Sequence, residues 1–344
     1  MIPQPDTHRR RTKCPIRPQR TTTSAPHSWP PPVELACRAP SLHNSQPWRW
    51  TFDNDTLHLF ADHARVGRHT DATGREVILS CGAALDHLQV AAATAGWQVN
   101  VERYPNPHDH DHLASVVFHR AESAGEHAHI LGEAISSRRT DRLAFAPPQP
   151  WPEVEQQLRT VLRGTVACLD VIDDDGRPAL ADASQRSEEH RRGDASYRYE
   201  LLWWTGHSGN EVGVPSSALP SAAEASHVDV ARDFPAYGRG DRRSQVDRDH
   251  SNILVLSTYD DSRDNTLRCG EALSRVLLEC TAAGLATCTL THMIELHSSR
   301  EIVRRLTARR AEPQVLIRVG RAPEISPPPV RTPRRPLADV LHLP

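Results

Sequence analysis

What this 344-residue chain lacks narrows the reading first. No apolar run approaches the roughly 20 residues that a bilayer-crossing helix needs, so no membrane partner is expected. Arg9-Arg10-Arg11 and Lys13 have no apolar stretch behind them, which argues against a secretory signal and for a cytoplasmic location. Neither sign of charge dominates: 41 basic residues face 43 acidic ones. Nucleic acid, which needs a basic excess on some face, is therefore not the expected partner. The seven cysteines contain no C-x-x-C pair, and most lie in apolar or Ala-rich surroundings. Such a scattered, odd set fits free thiols in a reducing compartment better than a disulfide framework. No G-x-G-x-x-G or G-x-x-x-x-G-K-[ST] follows a strand pattern, so neither a dinucleotide fold nor a P-loop is supported. No G-x-S-x-G is present either, which leaves a Ser-His-Asp hydrolase without its nucleophile turn. The run from His108 to His112 alternates imidazole and carboxylate but has no second ligand cluster at fixed spacing. It reads as a solvated loop, and no metal is expected.

What is there begins with an internal repeat. Cys81-Gly82-Ala83-Ala84-Leu85 leads to Gly96-Trp97; Cys269-Gly270-Glu271-Ala272-Leu273 leads to Gly284-Leu285, each position 188 residues after its counterpart. Leu85, Leu88, Ala92 and Ala95 have helical spacing, as do Leu267, Leu273, Val276, Leu277 and Cys280, and a glycine stands at each C-terminal cap. A β-rich run follows each helix, Val116–Phe118 in one and Val315–Val319 in the other. Two Ala-rich helices match by chance often enough; the shared glycines and the order of elements favour duplication.

Residues 1–32, rich in Pro, Arg and Thr, read as a disordered arm. A first half over 33–128 and a second over 129–344 are expected, the second with an insert at about 182–249. That insert is long, polar and irregular, a profile more typical of a lid or binding segment than of inert loop. Short helices are expected over Val33–Arg38, Ile130–Ser137 and Glu153–Leu162, and a capping box at Ser298-Ser299-Arg300-Glu301 opens another through Arg309. Strands are expected over Gln46–Phe52, Thr56–Phe60, Val166–Ile172 and Ile253–Thr258. Helices and separated strands without a regular β-α-β rhythm define an α+β class.

Three constellations carry polar chemistry. Ala39 to Trp50 packs Ser41, His43, Asn44 and Gln46 between two prolines, ahead of Trp48, Arg49 and Trp50. Amides held in a restricted loop read the edge of a flat heteroaromatic ring, although a polar turn with core tryptophans explains the same residues. Ser136 to Phe145 places Arg138, Arg139 and Thr140 at a helix end, either a phosphate clamp or charges complementing the helix terminus. Gly284 to Thr291 turns into small hydroxylated residues that let a backbone approach a ring, or that simply form a core strand.

The first constellation matches A-P-S-x-x-N-x-Q-P-W, and the chain thereby resembles the FMN-dependent nitroreductase family. Arg138-Arg139-Thr140-Asp141-Arg142-Leu143-Ala144-Phe145 resembles that family's R-R-S-x-R-x-F segment, with Thr for Ser and one residue inserted; Arg335-Pro336-Leu337 resembles its basic tail. In detail the chain looks like the Acg-like branch, mycobacterial nitroreductase-related proteins linked to dormancy, over about residues 33–340. The resemblance implies a nitroreductase-like α+β fold, fused in tandem as a pseudo-dimer with one FMN site. Carried over, Ser41, Asn44, Gln46, Trp48 and Arg49 would contact the ring or ribityl chain, and Arg138, Arg139, Thr140 and Arg334 the phosphate. Tyr197, Tyr199, Trp203 and Trp204 would suit the lid of that branch in a chain only 5% aromatic. Arg10-Arg11-Thr12 is followed by prolines instead of a helix, and Pro215-Ser216-Ser217 lacks the following Asn, so a second FMN site is not expected. The implied function is NAD(P)H-dependent reduction of a nitroaromatic, quinone or similar small molecule, by a monomeric pseudo-dimer or a homodimer. The competing reading is an FMN-sequestering protein whose lid closes the flavin. A nucleic-acid regulator acting through the N-terminal arginines is the weakest alternative.

Overall fold

The computed structural model describes residues 31–122, 124–206, 213–235, 238–309, 311–325 and 331–343. The expected disordered arm lies outside these, apart from its last two residues, which open the first helix, α1 (Pro31–Ala36). The hairpin β1 (Trp48–Asp53) and β2 (Thr56–Ala61) follows, turning through Asn54 and Asp55, both at positive φ (47° and 62°). That is the two-residue turn whose twist matches paired strands, and Asn and Asp tolerate it best after glycine.

Helix α2 (Arg75–Thr94) carries the first copy of the repeat. It starts where Asp71 Oδ2 accepts the Val77 N–H at 2.9 Å and stops before Gly96 at φ 76°. By length and composition it passes for a membrane span, contrary to the sequence reading, but its apolar surface is mostly buried inside the protein. Then come β3 (Trp97–Arg103), β4 (His112–Arg120), α3 (Glu126–Ser137) and α4 (Trp151–Val161). Beyond β5 (Cys168–Ile172) the first part of the insert is helical, with α5 (Arg177–Arg192), α6 (Ala195–Gly206) and α7 (Ala222–Ala225), and its described residues from 226 to 249 are irregular as expected. The α5 pattern is thin but helical, with Leu180, Ala183, Ser184 and Ser187 buried; two serines on the inner face hid its periodicity. The chain returns through β6 (Asn252–Thr258), α8 (Arg263–Ala282), β7 (Ala286–Leu290), α9 (His297–Leu306) and β8 (Glu312–Gly320). It ends in α10 (Leu337–Val340) and β9 (Leu341–His342).

The repeat is complete in three dimensions. One sheet runs β3-β4-β2-β1, extended by β9; the other runs β7-β8-β6-β5, the same order with antiparallel pairing throughout both fours. Between the first and second strands of one half stands a two-residue turn; between those of the other stands the whole helical insert. The 20-residue helices α2 and α8 are exact counterparts in the repeat and pack against each other between the sheets. They meet at the two glycines. A Cβ on Gly82 would lie 2.0 Å from the Leu267 carbonyl oxygen, and one on Gly270 would lie 2.2 Å from that of Leu79. Leu79 and Leu267 are themselves counterparts, so a local two-fold axis passes through this contact. Ser274 Oγ donating to Asp86 Oδ2 at 2.5 Å is a second pair of counterparts on the axis, 188 residues apart.

Residues 31–344 cluster as one unit, and the expected 128/129 boundary falls inside α3. Ala134 and Ile135 of α3 pack on Leu278 of α8, and β9 pairs in parallel with β1, so the halves are laced together. The expected capping box also differs. Helix α9 starts at His297 with Leu296 as its uncapped N-cap, which places Ser298 inside the first turn, and Glu301 accepts from Arg304 and Arg305 instead of reaching back to the helix start.

Asp249, where the insert rejoins the sheet, receives Arg318 Nη2 at 2.6 Å, Arg177 Nη2 at 2.7 Å and the Phe145 N–H at 2.8 Å. Burial pushes its pKa up, but Arg318 and the hydrogen bonds outweigh that and hold it at about 2. Because the folded value lies below the unfolded one, this stabilisation is present above about pH 4 and is lost as pH falls toward 2. Asp249→Asn should cost about 3–5 kcal/mol at pH 7, leaving Arg318 buried without its counter-charge. Urea unfolding at pH 7 and pH 3 checks it; an equal deficit at both would show that the charge is not responsible.

Candidate functional site

The segment from Pro40 to Gln46 is held in an unusual shape. His43, Asn44 and Gln46 sit at φ 50°, 57° and 50°, a region that side chains other than glycine seldom adopt. The surroundings impose it. Leu42 N–H donates to Ser80 Oγ (3.2 Å), Asn44 Nδ2 to the Pro333 carbonyl (3.2 Å) and Arg335 N–H to Gln46 Oε1 (2.9 Å). Backbone held against its preference marks a functional loop more often than a structural one.

Two adjoining chambers open along this loop and share Pro40, Ser41, Thr140 and Arg142. The inner one, about 110 Å³, is walled by Leu42 and His43, by Glu76, Leu79 and Ser80 of α2, by Leu273 of α8, and by Cys288 to Leu290 of β7 with Thr291 just after it. Both repeat halves therefore build it. The insert closes it with Pro220, Ala231, Arg232 and Phe234. Trp204 of α6 stacks on His43 with ring centres 6.1 Å apart, and Phe234 meets the same ring edge-on at 6.4 Å. Glu200 fastens α6 to the first half by accepting Thr70 N–H at 2.9 Å.

The outer chamber, about 530 Å³, is basic: Arg38, Arg138, Arg139, Arg142, Arg242, Arg331 and Arg334 line it, against Asp141 alone. Arg138 is only 8% exposed and has no carboxylate partner among the described residues. Burial, then Arg38, pushes its pKa down to about 10; burial, then Arg138 and Arg38, pushes Arg334 to about 9. Nε of Arg38, Arg138 and Arg334 is buried with no hydrogen-bond partner. Guanidiniums packed together with unmet donors form a receptor for a multivalent oxyanion.

The inner chamber is tuned differently. Burial, then Arg232 and Arg142, holds His43 well below its usual pKa, so it is neutral. Arg232 is tied to Glu295, to the Tyr197 hydroxyl and to Thr291 Oγ1. Burial raises Glu76 to about 7 despite Arg75 beside it.

The residues singled out from sequence separate into two groups. Ser41, Asn44, Arg138, Arg139, Thr140 and Arg334 all line the outer chamber, Ser41 and Thr140 reaching both. Gln46 lies behind the wall, buried and bonded to the Asn44 carbonyl and to Arg335. Trp48 is fully buried and points from β1 into the core, on the same face as Trp50, and Arg49 stacks over Phe60 at 4.4 Å on the opposite face. The period-2 alternation of β1 turns both away from the cavity. Of the proposed lid aromatics, Tyr197 and Trp204 are buried, Trp203 is 43% exposed and Tyr199 is 71% exposed. Sequence reading missed Arg232 and Phe234, which lie in a stretch with no local motif. Arg38 and Arg142 stood inside the quoted segments and were recognisable only by charge.

No family model matches the chain. A Mycobacterium tuberculosis protein provisionally named NAD(P)H nitroreductase acg is 54% identical over 311 residues, covering 90% of this chain and 94% of that relative. The chain belongs to the Acg-like family of nitroreductase-related proteins. A second M. tuberculosis relative, uncharacterized, is 50% identical over 315 residues, covering 90% of this chain and 92% of its own. A third, also provisionally named an NAD(P)H nitroreductase, is 39% identical over 320 residues, covering 91% and 90%. Among solved structures, an FMN-bound nitroreductase from Bacteroides fragilis aligns with 58% of this chain and 94% of its own at 12% identity and TM-score 0.37. The nitroreductase NfnB from Mycobacterium smegmatis, in complex with NADPH, aligns with 62% and 97% at 15% identity and TM-score 0.38. Likenesses that distant carry nothing about the site.

Proposed function

We propose that this chain, a tandem fusion of halves 33–128 and 129–344, binds one FMN and reduces a small acceptor, a nitroaromatic or quinone, with NAD(P)H in the cytoplasm. The observation that supports it is the pairing of an enclosed, partly apolar chamber with a basic one whose buried guanidiniums lack counter-charge. Ser41 and Thr140, at the junction of the chambers, would bond the ribityl chain, with Asn44 farther out. Arg138 and Arg334 would take the phosphate, with Arg139 at the rim. Arg142 and Arg232 place positive charge beside the inner chamber, which favours electron-rich occupants, and neutral His43 offers one unpaired ring nitrogen, Nε2. FMN, when bound, supplies the two-electron chemistry; the protein supplies binding, orientation and electrostatics. Glu76, near pH 7 in its titration, is suited to exchange a proton there.

A second reading, sequestration of FMN under a lid, is favoured by the contact of Trp204 with His43 and by the small inner chamber that the insert closes. Anaerobic addition of NADPH or NADH to the yellow protein separates the two. Bleaching within seconds is expected of a reductase. If bleaching occurs only with dithionite in the native protein but with nicotinamide in Trp204→Ala, the insert is a closed lid. A chain that cannot be loaded with FMN would refute both.

A further inference from the structure

The outer chamber holds more positive charge than one FMN phosphate matches. Among its described lining residues, Arg139 is paired with Asp141 and Arg242 with Glu224. Arg38, Arg138, Arg142, Arg331 and Arg334 have no carboxylate partner among the described residues. A phosphomonoester carries close to two charges at neutral pH. Two guanidiniums balance that charge, and Arg138 with Arg334, each with a buried Nε that has no partner, are assigned to it. Arg142 turns toward the inner chamber, where it stacks over Phe234 at 5.4 Å. That leaves Arg38 and Arg331, which line the same chamber; Arg331 adds to burial in lowering the Arg38 pKa. Arg38 also keeps a buried Nε without an acceptor. Like charges that line one chamber repel, and an anion shared between them relieves that repulsion.

We propose that the outer chamber binds a second phosphate group beside that of FMN, on Arg38 and Arg331, supplied by the 2′-phosphate of NADPH or by inorganic phosphate. The chamber volume of about 530 Å³ leaves room for it. This rests on the FMN reading above, since the second group is counted after the first. Arg331 is exposed, so its replacement should not disturb folding.

The test uses FMN-loaded protein in phosphate-free buffer of low ionic strength. Inorganic phosphate is titrated by ³¹P NMR, and NADPH and NADH binding are measured by nicotinamide fluorescence on protein whose flavin has first been reduced anaerobically with dithionite. Expected are one saturable phosphate per chain without loss of FMN, and NADPH binding about tenfold or more tighter than NADH. Arg331→Gln and Arg38→Gln should each remove that difference. Saturable phosphate without discrimination between the nucleotides would assign the second group to inorganic phosphate. No saturable phosphate together with equal nucleotide affinities would overturn the proposal, as would release of FMN by phosphate at one equivalent. If the chain holds no flavin, seen at once in its visible spectrum, the FMN reading fails separately. Two saturable phosphates on that colourless protein would still uphold the charge count, and one or none would sink it.

Discussion

Replacing Arg138 and Arg334 together by alanine should strip the protein of flavin and leave the empty chain as stable as before, or more so. The two effects share one cause. In the empty site burial withdraws both guanidiniums from water; Arg38 depresses both, and Arg138 depresses Arg334 as well. Removing them relieves burial and like-charge repulsion at once, which offsets the loss of the bonds that Arg334 donates to the carbonyls of Arg38, Ala39, Thr332 and Pro333. In the loaded site each would make charge-assisted bonds to phosphate worth about 1.5–3 kcal/mol, so FMN should bind about two to four orders of magnitude more weakly. Absorbance after dialysis reads the first effect, and thermal melting of the flavin-free protein reads the second. A double variant that stays yellow would refute the phosphate assignment. One that melts far below the empty wild type would show that these arginines are structural.

Gly270→Ala should be among the most damaging single-methyl additions to this protein, and Gly82→Ala should match it. The added Cβ at Gly270 would fall 2.2 Å from the Leu79 carbonyl oxygen and 2.9 Å from Gly82 Cα. Both are backbone atoms, so no side chain can turn aside. Helices α2 and α8 must then separate along their packed lengths, and the apolar contacts between them loosen together. Overpacking ordinarily costs about 1–3 kcal/mol; here the upper end or more is expected, with a melting point lower by roughly 6–12 °C. The local two-fold axis predicts more: in the double variant the costs should not add, because one separation of the helices accommodates both methyls. Gly193→Ala is the control, since a Cβ there meets nothing within 4 Å. Its effect should stay within about 0.5 kcal/mol. Additive losses in the double variant would refute the shared contact.

The loop at Ser41 and the helix end at Arg138 were legible because both are local. Pro40 and Pro47 bracket Ser41, Asn44, Ser45 and Gln46, and Arg138 adjoins Arg139. Their meeting was not legible, since Thr140 reaches the cavity by a parallel bridge to Thr287 far along the chain. Trp48 and Arg49 show what a local motif leaves open: they stand inside it, but a strand turns alternate residues to opposite faces, and burial sends Trp48 to the core. The duplication, the two long helices and their glycines could be read from spacing, because helical periodicity and a left-handed cap are set by nearest neighbours. That the glycines touch, that the insert is partly helical and carries Arg232 and Phe234 onto the inner chamber, and that seven arginines share one cavity depended on contacts between distant residues. Such contacts are chosen by which packing buries the most apolar surface and meets the most charge, a property of the folded whole that no local stretch contains.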